Sequence, residues 1–324
     1  IQADTDVWLE YAGEKGIHGA ILSYLSLKKE NFYMVENTVD GKFFVTARGW
    51  EDLSEILKSY EELQVEIGEE LIGEFLQKEE IARDFAGYYR LYEKYKSDYQ
   101  IQEILDGNVT TGQLKTCCDM GKKASFEERF TVTEMLLEAV TERISVFQKT
   151  DEKIEKLYEN LKLLKIFLQE KNSVEAMEQF VDSRRKALDA KICSELLKAE
   201  EAAREEEQIR ILEEYFFQLK ELHISDVAEG IEQIGERFGN VCRLRNEKLK
   251  ETKKMLEQAF SFLEECFGEG QELLLFETGL TGDDRCSIFI SQYGCPSYFK
   301  HCELLLYSKK ENELRKECRD LLEE

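Results

Sequence analysis

Thr46, Arg48 and Trp50 form the part of the sequence whose residue types and spacing point most directly to chemistry. A Thr that precedes a helix can accept a hydrogen bond from a free backbone N–H of the first turn. Arg48 adds a permanent positive charge where the helix N-terminus already carries a partial one. This pattern predicts an anion-facing tip, with Trp50 fixing the helix by packing. The residues alone leave an alternative open, in which Arg48 pairs with a neighbouring carboxylate and Trp50 is simply a core residue.

Patterns for other catalytic chemistry are missing from the sequence. A phosphate-binding loop requires G-x-x-x-x-G-K-[ST], and the nearest look-alike, Gly121-Lys122, has Thr116 and Lys123 at two of the required positions. No apolar strand run that ends in Asp-Glu supplies a magnesium site. Zinc-protease, serine-hydrolase and Cys/His nucleophile patterns do not occur either. We therefore expect no catalytic residue within this chain alone.

The three histidines, His18, His223 and His301, are far apart in the sequence. Distant residues would have to meet to form a histidine-based catalytic cluster, so each is predicted to be a surface or interface residue. Cys295, His301 and Cys302 could be drawn together around zinc, but no paired-cysteine knuckle or second ligand pair accompanies them. We predict no metal site.

The nine cysteines follow no small-domain spacing, and their number is odd. In a chain of this length, such usage favours reduced thiols and a cytoplasmic location. The adjacent Cys117 and Cys118 are predicted to be two partly buried thiols, since nothing nearby supplies a redox partner motif.

Composition indicates long helices and excludes two classes of partner. The 324 residues include 68 Asp and Glu against 44 Lys and Arg, a formal charge of −24. Such a chain repels nucleic acid and anionic lipid, and no apolar run reaches the roughly 18 residues that span a bilayer. We therefore predict neither partner. A single proline and 35% charged residues favour long uninterrupted helices.

The resulting fold class is mainly α. Residues 1–110 are predicted to form a small helical domain with a β-hairpin, whose strands are 32–35 and 43–45 and whose loop ends in Asp40-Gly41. Apolar spacing predicts the helices at 6–12, with Asp6 as its cap, then at 18–27, from 48 onward, at 69–77 and at 79–97.

Residues 120–267 are predicted to form a long antiparallel helical bundle or coiled-coil-like region. Apolar stripes at i, i+3 and i+4 mark three long helices, at 126–170, 174–222 and 227–267. The charged stretch 198–208 is expected to project into solvent beyond the bundle, with a partner-binding acidic patch as the alternative. The capping pairs are Ser125 with Glu128, Asn172 with Glu175, and Asp226 with Glu229.

Residues 268–324 are predicted to be a small C-terminal helical region. The short apolar runs 273–276 and 287–290 could be helices or strands, because periodicity cannot decide over four residues. A charged helix is predicted from about Lys309.

The first 60 residues resemble the lid subdomain of MoxR-like AAA+ ATPases, and the resemblance extends to residue 110. That family has a Trp on a helix, a Gly-Ile-His turn, a helix that carries Leu, and then Ser/Thr-Pro-Arg-x-Trp-Glu. The matching residues here are Trp8, Gly16-Ile17-His18, Leu25 and the segment Thr46-Ala47-Arg48-Gly49-Trp50-Glu51. Ala47 replaces the family's proline, and Gly49 is expected to loosen the first turn of the helix.

The resemblance implies that Arg48 is a sensor arginine for an ATP phosphate and that Thr46 caps its helix. ATP and Mg²⁺ would bind an α/β subdomain that this chain lacks, so the chain looks like the back part of an ATPase. The family further implies a ring homo-oligomer that remodels other proteins as a chaperone, with a von Willebrand A domain protein as one kind of partner. Residues 120–324 lie outside the resemblance and are interpreted as an appendage for a partner or substrate protein. The alternative is a non-enzymatic, acidic helical scaffold.

We predict that the purified chain alone does not hydrolyse ATP, because the phosphate cradle and magnesium ligands are missing from its sequence. Phosphate release should equal that of a heat-denatured sample. Turnover above this background would contradict the prediction.

Overall fold

The computed structural model describes residues 4–38, 41–194 and 196–302. Most of them are helical, and they include one two-stranded antiparallel sheet. The predicted fold class, mainly α with a small hairpin and long helices, is confirmed. None of the helices in these ranges has both the length and the apolar character that crossing a bilayer requires.

Short helices and the hairpin make up the first part of the chain. The helices are α1 Thr5–Lys15, α2 Gly19–Leu27, α3 Ala47–Glu62, α4 Glu69–Phe75, α5 Glu79–Tyr99, α6 Ile101–Asp106 and α7 Thr111–Gly121. The strands are β1 Met34–Thr38 and β2 Gly41–Val45, with Val35 opposite Phe44. Because α1 begins at Thr5, the expected cap Asp6 lies inside the first turn.

Longer helices follow. They are α8 Phe126–Lys171, α9 Ala176–Cys193, α10 Ala199–Glu221, α11 Val227–Phe267, α12 Gln271–Gly282 and α13 Asp284–Tyr293. The first and third predicted long helices are confirmed as α8 and α11, and both apolar runs of the last block are helical. Residues 296–302 are helical as well. The helix predicted from Lys309 lies outside the described residues.

The predicted middle helix, 174–222, is wrong as a single element, because the chain breaks between Cys193 and Ala199. Most described residues of the charged stretch 198–208 are exposed, as expected, but the stretch is helical and does not interrupt the apolar pattern as a separate segment. It forms the first turns of α10, where Gln208 is buried and donates a hydrogen bond to the Lys153 carbonyl oxygen at 3.2 Å.

Two of the three predicted capping pairs are present. Ser125 Oγ accepts from the Glu128 N–H at 3.3 Å, and Asp226 accepts from the Glu229 N–H at 2.9 Å. The Asn172 cap is wrong. Asn172 has a φ of +49° and directly follows α8, so it occupies the left-handed position that ends a helix.

The chain separates into two compact units. One contains residues 143–253, and the other contains the residues before and after that range. The sequence pattern predicts three blocks, and those boundaries stay a prediction. The core of the 143–253 unit is built from one face of each of its helices, with Leu164, Leu168, Met177, Leu212 and Leu219 among its most buried members.

In the other unit, aromatic side chains fill the space between α2, α3 and α5. The ring centroids of Tyr24, Trp50 and Phe85 lie 5.2–5.8 Å apart, and all three residues are fully buried. The Trp50 indole N–H donates to the Phe32 carbonyl oxygen at 3.1 Å, just before β1 begins. Trp50 therefore joins three helices and the hairpin.

One cysteine prediction is wrong. Cys118 of α7 forms a disulfide with Cys266 of α11, across a sequence separation of 148. Spacing along the chain carries no sign of the pair, because the fold brings the two Cα atoms to 4.1 Å. Cys117 remains a buried free thiol, as predicted.

Trp50→Ala should destabilise the unit that contains residues 4–142 by about 3–5 kcal/mol, because it leaves a large cavity and an unpaired Phe32 carbonyl. Urea unfolding followed by far-UV circular dichroism measures the change. Phe44→Ala is the matched control, since that ring is 40% exposed, and it should change the free energy by less than about 1 kcal/mol. Equal effects of the two substitutions would refute the anchoring role of Trp50.

Candidate functional site

The Arg48 turn, comprising Thr46 to Asp52, lies where β2 passes into α3. Thr46 has extended backbone angles, and its Oγ1 accepts from the Gly49 N–H at 3.2 Å, so the predicted cap is present. Arg48 follows in the first turn, with 79% of its side chain exposed. The turn therefore presents a full positive charge at the positive end of a helix.

Arg48 forms an ion pair with a neighbouring carboxylate, as the alternative interpretation of the sequence expects. Its Nε lies 3.0 Å from a carboxylate oxygen of Asp52, one turn further along α3. An exposed i, i+4 pair of this kind contributes only about 0.3–0.5 kcal/mol. No hydrogen bond joins the two terminal amino groups of Arg48 to another of the described residues, so most of the guanidinium donors stay open to an anion.

Gly49 has a packing role that the sequence does not reveal. A Cβ at this position would lie 2.8 Å from the carbonyl oxygen of Phe75, the last residue of α4. Glycine thus allows the first turn of α3 to approach the end of α4 closely. The expectation that Gly49 loosens the first turn stays a prediction.

The residues that carry the family resemblance are linked to one another in space. The Trp8 indole N–H donates to Glu51 Oε1 at 3.4 Å, and the Trp8 ring lies 4.9 Å from that of Phe32. The His18 N–H donates to Ser54 Oγ at 2.9 Å. These contacts join Trp8 and His18, from the first part of the motif, to the helix that carries Arg48, α3.

His18 also begins a polar cluster that sequence reasoning missed. His18 Nδ1 accepts from the Ala20 N–H at 3.1 Å, so the ring caps α2. Its Nε2 therefore carries the proton and donates to Glu61 Oε1 at 2.7 Å. Glu61 also accepts from the hydroxyl of Tyr89 at 2.9 Å and from Lys96 Nζ at 3.1 Å.

This cluster joins α2, α3 and α5 at the end of α3 opposite to Arg48. Burial opposes ionisation of Glu61, but its hydrogen bonds to His18 and Lys96 outweigh that effect and lower its pKa to about 2. His18 is only 7% exposed, whereas Glu61 and Lys96 are partly accessible to solvent. The hydrogen bonds of the cluster tie the end of α3 to α2 and α5.

Two carboxyl groups of α8 lie beside this cluster. Glu138 accepts from the Tyr92 hydroxyl at 3.3 Å, and it lies so close to Gly19 that a Cβ there would be 1.7 Å from its Oε2. Glu134 is one turn earlier on the same helix. Burial, and then the charge of Glu138, raise the pKa of Glu134 to about 7. Burial likewise raises the pKa of Glu138.

Two of the histidine predictions are wrong. His18 and His301 are buried, while His223 is exposed. The His301 ring stacks on Phe260, with centroids 5.8 Å apart, and its Nε2 contacts Glu264. Each buried ring is satisfied by a carboxylate that is distant in the sequence.

The described residues contain no group of His, Cys, Asp and Glu side chains that could hold a metal ion. Cys295 instead donates from Sγ to Glu257 Oε1 at 3.2 Å. Burial raises the pKa of the Cys295 thiol to about 12, so a thiolate ligand is disfavoured there.

Comparisons with known proteins add no assignment, since no family model, curated protein or solved structure matches the chain. The assignment of a role to the site therefore depends on the geometry of its residues alone.

The Glu134 carboxyl should make this unit less stable as pH rises. Because its pKa is about 7 when folded and 4.5 ordinarily, the folded state holds the extra proton between these values. Its contribution is thus largest below pH 4.5 and is lost as pH rises through 7. Glu134→Gln should remove up to about 3 kcal/mol of this pH dependence.

Urea unfolding of the wild type and Glu134→Gln at pH 5 and pH 8 tests this prediction. The variant should gain stability relative to the wild type at pH 8. Glu103→Gln, at an exposed position, is the matched control and should follow the wild type. Identical pH profiles for all three proteins would refute the assignment.

Proposed function

We propose that residues 1–110 are the lid of a MoxR-like AAA+ ATPase and that Arg48 senses the phosphates of bound ATP. The observation that carries the proposal is the Arg48 turn, a capped helix start with an exposed guanidinium beside an anchored Trp. A sensor arginine has to reach out of its own domain while its backbone stays fixed. Arg48 provides the group that reaches outward, and Trp50, two positions later, fixes the backbone.

The connections between motif residues support this proposal. Trp8 and His18, which precede α3 by many residues, both contact it within two turns of Arg48. The same contacts would transmit a shift of α3 to α1 and α2, which is what coupling lid position to nucleotide state requires.

On this proposal Arg48 contributes an electrostatic effect. A fixed guanidinium beside a transferred phosphoryl group stabilises the charge that develops on it. The phosphate cradle and the ligands for Mg²⁺ would belong to the α/β subdomain that precedes a lid in this family. Thr46 would act through the helix, by holding the first-turn N–H groups toward the phosphate.

The remaining parts of the proposal concern partners. Residues 120–324 would engage a partner or substrate protein, for which a von Willebrand A domain protein is one candidate from the family. The assembled enzyme would be a ring homo-oligomer in the cytoplasm. The second candidate is a non-enzymatic scaffold, which is favoured by the separate core of residues 143–253.

These two candidates differ in the parent protein. The ATPase proposal requires a phosphate-binding loop and an acidic magnesium site in the coding sequence within about one domain length upstream. If both are missing, the proposal fails. The scaffold would be favoured if deletion of residues 120–267 abolished partner binding while an intact parent lacked ATPase activity.

In the full-length enzyme, Arg48→Ala should reduce the rate of ATP hydrolysis at least about 10-fold, since an arginine at a transferring phosphate is worth several kcal/mol. ATP affinity should change much less. Hydrolysis is measured as steady-state phosphate release, and affinity by titration with a fluorescent nucleotide.

The matched control is Arg83→Ala. Arg83 is also exposed and ion-paired, with Glu69 and Glu79, but it lies on α5. This variant should retain wild-type hydrolysis. Full activity of Arg48→Ala, or an equal loss in both variants, would remove the sensor assignment.

A further inference from the structure

Four residues of α10 form a line on its solvent side, which we call the α10 stripe. They are Arg210, Glu214, Phe217 and Glu221, and all four are exposed. Their spacing of i, i+4, i+7 and i+11 keeps them on one face of a helix, which is the spacing that helix–helix seams use. The opposite face of α10 packs into the core through Leu212, Tyr215 and Leu219.

The stripe borders a groove of about 630 Å³. Glu213 and Gln218 of α10 and Arg237 of α11 complete its lining. The Phe217 ring stands in it with 62% of its surface exposed. Arg237 forms one wall, donating to Gln218 Oε1 at 2.7 Å and approaching Glu214 at 3.5 Å. An aromatic ring left in water between charged walls favours contact with another surface.

Charge is arranged with opposite signs at the two ends of the stripe. Among the described residues, neither Arg210 nor Glu221 takes part in any ion pair or side-chain hydrogen bond that the structure gives. They are 11 residues apart, which is about 16 Å along a helix. The stripe thus has an unpaired cation at one end, an unpaired anion at the other and an aromatic ring between them.

We propose that the α10 stripe is the contact surface of a symmetric dimer, in which the α10 helices of two copies of this chain pack antiparallel. A two-fold axis then places Arg210 against Glu221 of the second copy, and Glu221 against Arg210 of the second copy. Both pairs are centred on the same point, between residues 215 and 216. The same register sets Phe217 against the methylene groups of Glu214 of the second copy.

We choose a second copy of the chain as the binding partner because the stripe is complementary in charge to itself. A two-fold contact matches the surface patch with itself, and the stripe satisfies both of its unpaired charges in that arrangement at once. Electrostatic repulsion between two copies of the 143–253 unit is also small, because the unit contains 21 Lys and Arg against 24 Asp and Glu. Most of the chain's net charge of −24 lies elsewhere.

The dimer is independent of the ATPase proposal, since it rests on residues 210–237 alone. It also differs from a ring. A ring uses two different surfaces of each subunit, whereas this contact uses one surface twice and closes at two copies.

Sedimentation equilibrium of the full chain, over concentrations up to its solubility limit, tests the proposal. The wild type should approach twice the mass of one chain. Arg210→Glu and Glu221→Arg should each weaken dimerisation about 10-fold or more, because each places like charges together at two symmetric points. Phe217→Ala should weaken it as well.

The double variant Arg210→Glu/Glu221→Arg is the decisive measurement, because it restores opposite charges in the antiparallel register and should recover the wild-type dimer. Arg204→Glu is the matched control. That residue is exposed on the same helix, about 120° around the axis from the stripe, and the variant should dimerise like the wild type. Circular dichroism confirms that every variant is folded.

Three outcomes would overturn the proposal. The wild type could remain a single chain at every concentration. The single variants could dimerise as well as the wild type, which would place the contact elsewhere. The double variant could fail to recover, which would exclude the antiparallel pairing.

Discussion

The hydrogen bond from the Trp50 indole to the Phe32 carbonyl oxygen is the contact on which the first unit depends most. A buried indole N–H needs an acceptor, and the Phe32 carbonyl oxygen provides it while the ring packs edge-on against Phe85. This requirement fixes the rotation of α3 relative to the hairpin and α5. Because Arg48 is two residues earlier in the same turn, its direction into solvent follows from how Trp50 is buried. An exposed side chain is thus oriented by a buried one.

The opposite end of α3 is held by polar contacts instead. Glu61 receives hydrogen bonds from three side chains on two other helices, and Glu134 and Glu138 bring further carboxyl groups close to them. Glu134 and Glu138, whose pKa values are raised by burial, lower the stability of the fold when they ionise, whereas Glu61, whose pKa is lowered, stabilises it in the ionised form. Helix α3 is therefore held by the buried Trp50 near its first turn and by the ionisable cluster around Glu61 at its other end.

Local signals predicted most of the architecture. The stripes of α8 and α11 and the Thr46 cap are encoded within a few residues, so the sequence was sufficient for them. The break after Cys193 was missed because neither glycine nor proline marks it. Contacts between distant residues were not predictable either. His18 and Glu61 are 43 residues apart, and no periodic pattern relates them. The Arg48 turn was therefore recognisable from sequence, whereas the cluster that positions its helix was not.

The Cys118–Cys266 disulfide makes a covalent ring of everything between its two cysteines, and that ring contains the whole 143–253 unit. A protease that cuts any single peptide bond within the ring opens it without releasing a fragment. The nicked protein keeps its mass until a reductant separates the pieces. Exposed positions between α9 and α10, such as Ser194 and Leu196, can thus be cleaved without loss of covalent continuity, so this part of the molecule tolerates a single cut as long as the disulfide is intact.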